Sequence, residues 1–142
     1  EYFSSRTIKT FDTDQNGSLD LMEVINLRKE AFDPLEKFAY YTHIWVAKTK
    51  RDAPIIENFK ASIDENRLVY RFTIPLVPPA DPGSSSVIAS LYDEVYHVDF
   101  KFKEKNFILV DGEMNPSCKF KIKRGRGTMS GHRQPVTLFC GD

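Results

Sequence analysis

The cleanest pattern in the chain is the alternation of Leu68, Tyr70, Phe72 and Ile74 with Arg67, Val69, Arg71 and Thr73. A period of two places one set of side chains on each face of a strand. Phe59, Ala61 and Ile63 alternate in the same way just upstream, and Asp64-Glu65-Asn66 between the runs reads as a turn, so the pair predicts a hairpin. Ile44 and Val46 predict an earlier strand, with a polar turn from Lys48 to Pro54 after it. Further strands are expected at Val87–Tyr92, 95–102, Phe107–Val110, Cys118–Lys123 and Val136–Cys140. Pro75, Pro78, Pro79, Pro82 and Gly83 make 75–86 a loop, and Gly125-Arg126-Gly127 lies in another.

The first forty residues follow a different period. Phe3, Ile8 and Phe11 suit a short helix, and Met22, Ile25 and Phe32 fall on a helical repeat over 21–32. Arg28 and Lys29 lie near the end of that repeat, where cations suit the helix dipole. Pro34 disfavours the α region at Asp33, so the helix ends or restarts there, with Leu35, Phe38 and Tyr41 on one or two more turns. The expected class is α+β. A helical part (1–41) packs on an antiparallel, sandwich-like sheet (42–142) within one domain of 142 residues.

Between the two helical patterns lies an acidic stretch with chemistry in it. Asp12-Thr13-Asp14-Gln15-Asn16-Gly17-Ser18-Leu19-Asp20-Leu21-Met22-Glu23 fits the twelve-residue EF-hand calcium loop. Calcium takes six to eight oxygens. Asp12, Asp14 and Asn16 offer side-chain oxygens at loop positions 1, 3 and 5, and Ser18 offers its carbonyl at position 7. Asp20 can bind through a water, and Glu23 at position 12 can offer both carboxylate oxygens. Gly17 stands where the loop turns sharply, and Leu19 is the apolar plug. Magnesium, which demands a tighter octahedron, suits a bidentate glutamate less well. The chain carries a single loop of this kind and three methionines, so the expectation is a structural calcium rather than a switch opening a Met-rich groove.

Composition narrows the remaining classes. Hydrophobic residues are 41% and charged residues 28%, which excludes a wholly disordered chain. No apolar run is long enough to span a membrane as a helix. Net charge is zero, but residues 1–100 carry 11 basic and 16 acidic side chains while 101–126 carry 8 basic and 3 acidic. Lys101-Phe102-Lys103 and Lys119-Phe120-Lys121-Ile122-Lys123 read as strands with a solvated lysine edge rather than a nucleic-acid face. His43, His97 and His132 make no paired zinc spacing, and no nucleophile–base motif or phosphate-binding glycine fingerprint is present. The expected function is therefore non-enzymatic. Cys118 and Cys140 could pair in an oxidising compartment or remain two small thiols.

Several segments together resemble a known family. They are Glu1-Tyr2-Phe3-Ser4-Ser5, the loop from Phe11 to Gly17, Ala31-Phe32, and Phe38-Ala39-Tyr40-Tyr41-Thr42-His43-Ile44. Leu68-Val69-Tyr70-Arg71-Phe72-Thr73-Ile74-Pro75 and Leu91-Tyr92-Asp93-Glu94-Val95-Tyr96 complete the set. In this order they resemble a bacterial periplasmic family of unknown function. Its members are often labelled ABC-transporter substrate-binding proteins, and their genes often neighbour nickel/cobalt-type exporters. The chain lacks that family's upstream His-Pro-His segment and strand pair, so it looks N-terminally shortened. It also has His97 where the family usually has an aromatic or similar residue. The resemblance implies an extracytoplasmic, calcium-binding accessory or binding protein, with a membrane metal transporter as partner. The alternative is a module whose association with another protein depends on calcium.

Overall fold

The computed structural model describes residues 2–52, 54–95, 100, 108, 117–122 and 135–140. The expected strands at 95–102 and Phe107–Val110 fall almost wholly outside these residues. So do His97, His132, Lys101-Phe102-Lys103 and Gly125-Arg126-Gly127. Within the described residues the class is α+β. Two α-helices, α1 (Tyr2–Phe11) and α2 (Leu21–Leu27), precede seven strands. The strands are β1 (Thr42–Val46), β2 (Thr49–Lys50), β3 (Glu57–Asp64), β4 (Arg67–Thr73), β5 (Val87–Leu91), β6 (Cys118–Ile122) and β7 (Val136–Cys140). All their pairings are antiparallel.

The chain forms two interleaved compact units. The first is Glu1–Tyr40 with Ile55–Pro75, and the second is Tyr41–Pro54 with Leu76–Asp142. The sequence places its boundary between 41 and 42, but the β3–β4 hairpin belongs to the same unit as the helices.

In the first unit β3 and β4 pair across the turn Glu65-Asn66, with Asp64 opposite Arg67. Both turn residues have positive φ, 47° and 60°, the hand that matches the twist of a two-residue hairpin. Ala61 faces Tyr70, so the predicted alternation presents Phe59, Tyr70 and Phe72 to one side. They meet Phe32, which is 1% exposed. Its ring lies 4.3 Å from Phe59, 5.2 Å from Tyr70, 5.4 Å from Phe72 and 4.9 Å from Tyr40, centroid to centroid. Aromatic pairs at these separations add to the burial of their area.

The helical repeat over 21–32 is not continuous. After Leu27 the backbone passes into a π-helical turn, Arg28–Phe32, and then into 3₁₀ turns over Asp33–Tyr41 with a kink at Phe38–Tyr40. The i→i+5 bonding of a π turn aligns residues five apart. Leu27 and Phe32 are five apart, and they are the largest fully buried side chains among the described residues. Met22 and Ile25, expected on the inner stripe with Phe32, are instead 61% and 48% exposed. An unbroken 3.6-residue period cannot anticipate that change of register.

The second unit holds a sheet in the order β2-β1-β5-β7-β6. Trp45 is opposite Ile88, and Ile88 is opposite Thr137. His43 is opposite Ser90. These residues therefore share one face of the sheet. Cys118 and Cys140 are directly opposed on β6 and β7 and are joined by a disulfide. The Phe120 and Ile122 positions alternate with Lys119 and Lys121 along β6.

Candidate metal centre

The loop between α1 and α2 is shaped by its own carboxylates. Asp12 caps the turn after α1: one oxygen accepts from the Asn16 amide at 3.1 Å and the other from the Gly17 amide at 3.0 Å. Asp14 accepts from the Asn16 backbone N–H at 3.1 Å and from its side-chain Nδ2 at 2.7 Å. Gly17 has φ +82°, a left-handed conformation that only glycine adopts without strain, so the glycine read from the sequence is required by the backbone.

The far end of the loop is fixed by a reciprocal cap. Asp20 is the N-cap of α2 and accepts from the Glu23 N–H at 2.9 Å, while Glu23 Oε2 accepts from the Asp20 N–H at 3.0 Å. Two orphan donors of the helix start are thereby satisfied. Glu23 Oε1 reaches back across the loop. It accepts from both the amide and the hydroxyl of Thr13, each at 2.7 Å. Glu23 is 5% exposed, and these donors hold its carboxyl below the ordinary 4.5, the Thr13 hydroxyl contributing most and the Asp20 amide next.

This folding brings Asp12, Asp14 and Glu23 together, each with one carboxylate oxygen within 4.8 Å of the others. Asp12 is buried at 5% exposure, as Glu23 is, whereas Asp14 is exposed. Ser18 and Asn16 stand beside the cluster, with the Asn16 Oδ1 turned to the Ser18 N–H at 2.8 Å and hydroxyl at 2.6 Å. A turn of the Asn16 amide is needed to aim that oxygen at the carboxylates. Asp20 supplies the cap and stands outside the three-carboxylate cluster. The donors are all oxygens and include at least three carboxylates, which suits a hard divalent cation and not a thiolate- or imidazole-seeking metal.

Residues 1–137 match the family model described as "Protein of unknown function (DUF1007)". The chain belongs to this family. It is also 32% identical over 93 residues to an "Uncharacterized 15.5 kDa protein in trpE 3'region" of Spirochaeta aurantia. That match spans 66% of each chain, just under two thirds of the relative's length. No solved structure matches the chain.

Two features of this DUF1007 member's loop were not read from its sequence. Thr13 at loop position 2 is the residue that positions Glu23, and no ligand pattern marks that position. The Asp20–Glu23 cap does carry a sequence signal, an acidic N-cap residue followed three positions later by glutamate. The same two residues also occupy positions 9 and 12 of the calcium-loop pattern, which hides the cap signal. His43 is buried at 3% exposure, stacked on Tyr92 at 3.9 Å, and its Nε2–H donates to the Tyr92 carbonyl at 3.2 Å.

Proposed function

We propose that this chain is a calcium-binding accessory module of the EF-hand type that works outside the cytoplasm. The observation that carries the reading is the convergence of Asp12, Asp14 and Glu23 within 4.8 Å at the first, third and twelfth positions of a helix–loop–helix. Asp12, Asp14, Asn16, Ser18 and Glu23 would hold the ion, with Asp20 acting through water. A bound Ca²⁺ would supply the positive charge that offsets three converging carboxylates, and its binding energy adds to the stability of the fold.

The Cys118–Cys140 disulfide supports the extracytoplasmic part, because such bonds persist in oxidising compartments. A single loop of this kind has an affinity in the range of about 10⁻⁴–10⁻³ M found in extracellular modules, where calcium is abundant enough to fill it. Service to a membrane metal transport system rests on the family resemblance. The role is binding rather than catalysis.

The test is a calorimetric titration with CaCl₂ on protein stripped by chelator. One calcium per chain, lost in Glu23→Gln, is expected. No heat and no saturation would refute the calcium reading.

A second reading is favoured by one observation. Leu21, Met22 and Ile25 on α2 are 75%, 61% and 48% exposed, at the end of the loop and just beyond it. In that reading calcium governs association with a protein partner through this helix. Binding of an apolar dye that rises with calcium, and is lost in Leu21→Ser/Ile25→Ser, favours it. Unchanged dye binding favours the purely structural role.

A further inference from the structure

We infer that the second unit carries a binding site for a small aromatic carboxylate. Beside the face of the sheet that carries Trp45, Ile88 and Ser90 lies an open cavity of about 430 Å³. Small-molecule pockets commonly measure about 300–1,000 Å³. Trp45, Ile88, Tyr92 and Pro135 give it apolar and aromatic walls. Walls of this kind favour a flat apolar body, which stacks on aromatic rings and leaves water.

Thr137, Ser90 and Lys48 complete the lining, and the last two ask for a partner. Ser90 sits on the central strand β5, is 4% exposed, and its hydroxyl has no hydrogen-bond partner among the described residues. A buried hydroxyl without a partner costs stability, so its presence in an apolar wall needs a reason. The hydroxyl oxygen itself is buried, so a rotation about one side-chain bond is required to present it to a ligand. Lys48 is exposed at the same cavity and makes no ion pair among the described residues. Its neighbour Lys50 is already engaged, 3.3 Å from Glu94 and 5.9 Å over the Trp45 ring. Among the described residues the uncompensated charge at the cavity is thus positive, which favours an anion over a cation.

The support under Tyr92 fits a preformed site. His43 stacks on the Tyr92 ring and holds its carbonyl, and the Tyr92 amide donates to the Tyr41 carbonyl at 3.1 Å. His43 is a positioning residue here. The inference does not depend on the calcium loop, which lies in the other unit.

Trp45 is the only tryptophan in the chain, so its fluorescence reports on this cavity alone. The probes are 3-phenylpropanoate, 3-phenylpropylamine and propanoate, titrated in calcium and again in chelator. The expected result is saturable change with 3-phenylpropanoate, binding at least about tenfold weaker with the amine, and none with propanoate. Ser90→Ala is expected to weaken binding by about two- to tenfold while the melting temperature holds or rises, because no native bond is lost. A purely structural serine would instead lower the melting temperature and leave affinity alone. Lys48→Gln is expected to remove both the preference for the anion and its salt dependence. No saturation by 3-phenylpropanoate, equal binding of the amine, or unchanged affinity in Ser90→Ala would each overturn the inference. A failed calcium titration with intact phenylpropanoate binding would sink the calcium reading alone.

Discussion

Thr13 and Glu23, ten residues apart, are joined by two donors on a single oxygen: the Thr13 amide and hydroxyl each lie 2.7 Å from Glu23 Oε1. The contact closes the loop by tying its second position to its twelfth. It also favours the ionised form of the carboxylate that completes the three-carboxylate cluster. The folded-state value of Glu23 is depressed, so its contribution to stability is fully present above the ordinary 4.5 and is lost as pH falls through the depressed value. In chelator, Thr13→Val is expected to shift the acid limb of the stability curve to higher pH. Melting temperature against pH, compared with the parent chain, checks this.

The alkaline limb has a different origin. Burial pushes the Tyr70 phenol up to about 12, and Tyr40, also in the first unit, is raised chiefly by burial. A raised folded-state value means the stabilisation is intact below pH 10 and is lost as pH rises toward 12. Tyr70→Phe, which keeps the ring against Phe32, is expected to flatten that loss. Urea unfolding at pH 9 and pH 11 measures it.

Phe32 is the centre of the first unit's core, with four aromatic rings around it. Phe32→Ala is expected to cost about 3–5 kcal/mol. Met22→Ser, on the exposed side of α2, is expected to change stability by less than about 0.5 kcal/mol. Chemical denaturation of the two variants tests the register change at the π turn. Equal destabilisation would mean that α2 continues as an ordinary helix with Met22 inside.

The disulfide closes a separation of 22 residues in the second unit. Constraining a loop of that size stabilises by about 3 kcal/mol in the chain-entropy description. Cys118→Ser/Cys140→Ser is expected to lose about 2–4 kcal/mol. The comparison by denaturant midpoint should be made with calcium held constant, so that the disulfide alone differs.

The sequence makes some of this legible and hides the rest. The β3–β4 hairpin was readable because one face of each strand is apolar and the intervening turn contains Asn66, a residue type that visits positive φ more readily than most. The convergence of Asp12, Asp14 and Glu23 was anticipated because their spacing falls within twelve consecutive residues. The inner face of α2 was not, since a π turn breaks the period on which such readings depend. The cavity at Ser90 was not, because its walls come from β1, β5, the residue after β5 and the residue before β7, which only the sheet brings together. The assignment of the hairpin to the helical unit depends likewise on Phe32 meeting rings some thirty to forty residues away.

The most direct test of the central claim is the melting temperature of the chain, with its disulfide intact, in chelator, in 10 mM magnesium and in 10 mM calcium. For a site of about 0.3 mM affinity, linkage gives about 2 kcal/mol at that calcium concentration. The account predicts a rise of about 4–8 °C with calcium, little with magnesium, and none in Glu23→Gln. A melting temperature equal in all three conditions, or a calcium rise retained in full by Glu23→Gln, would contradict it.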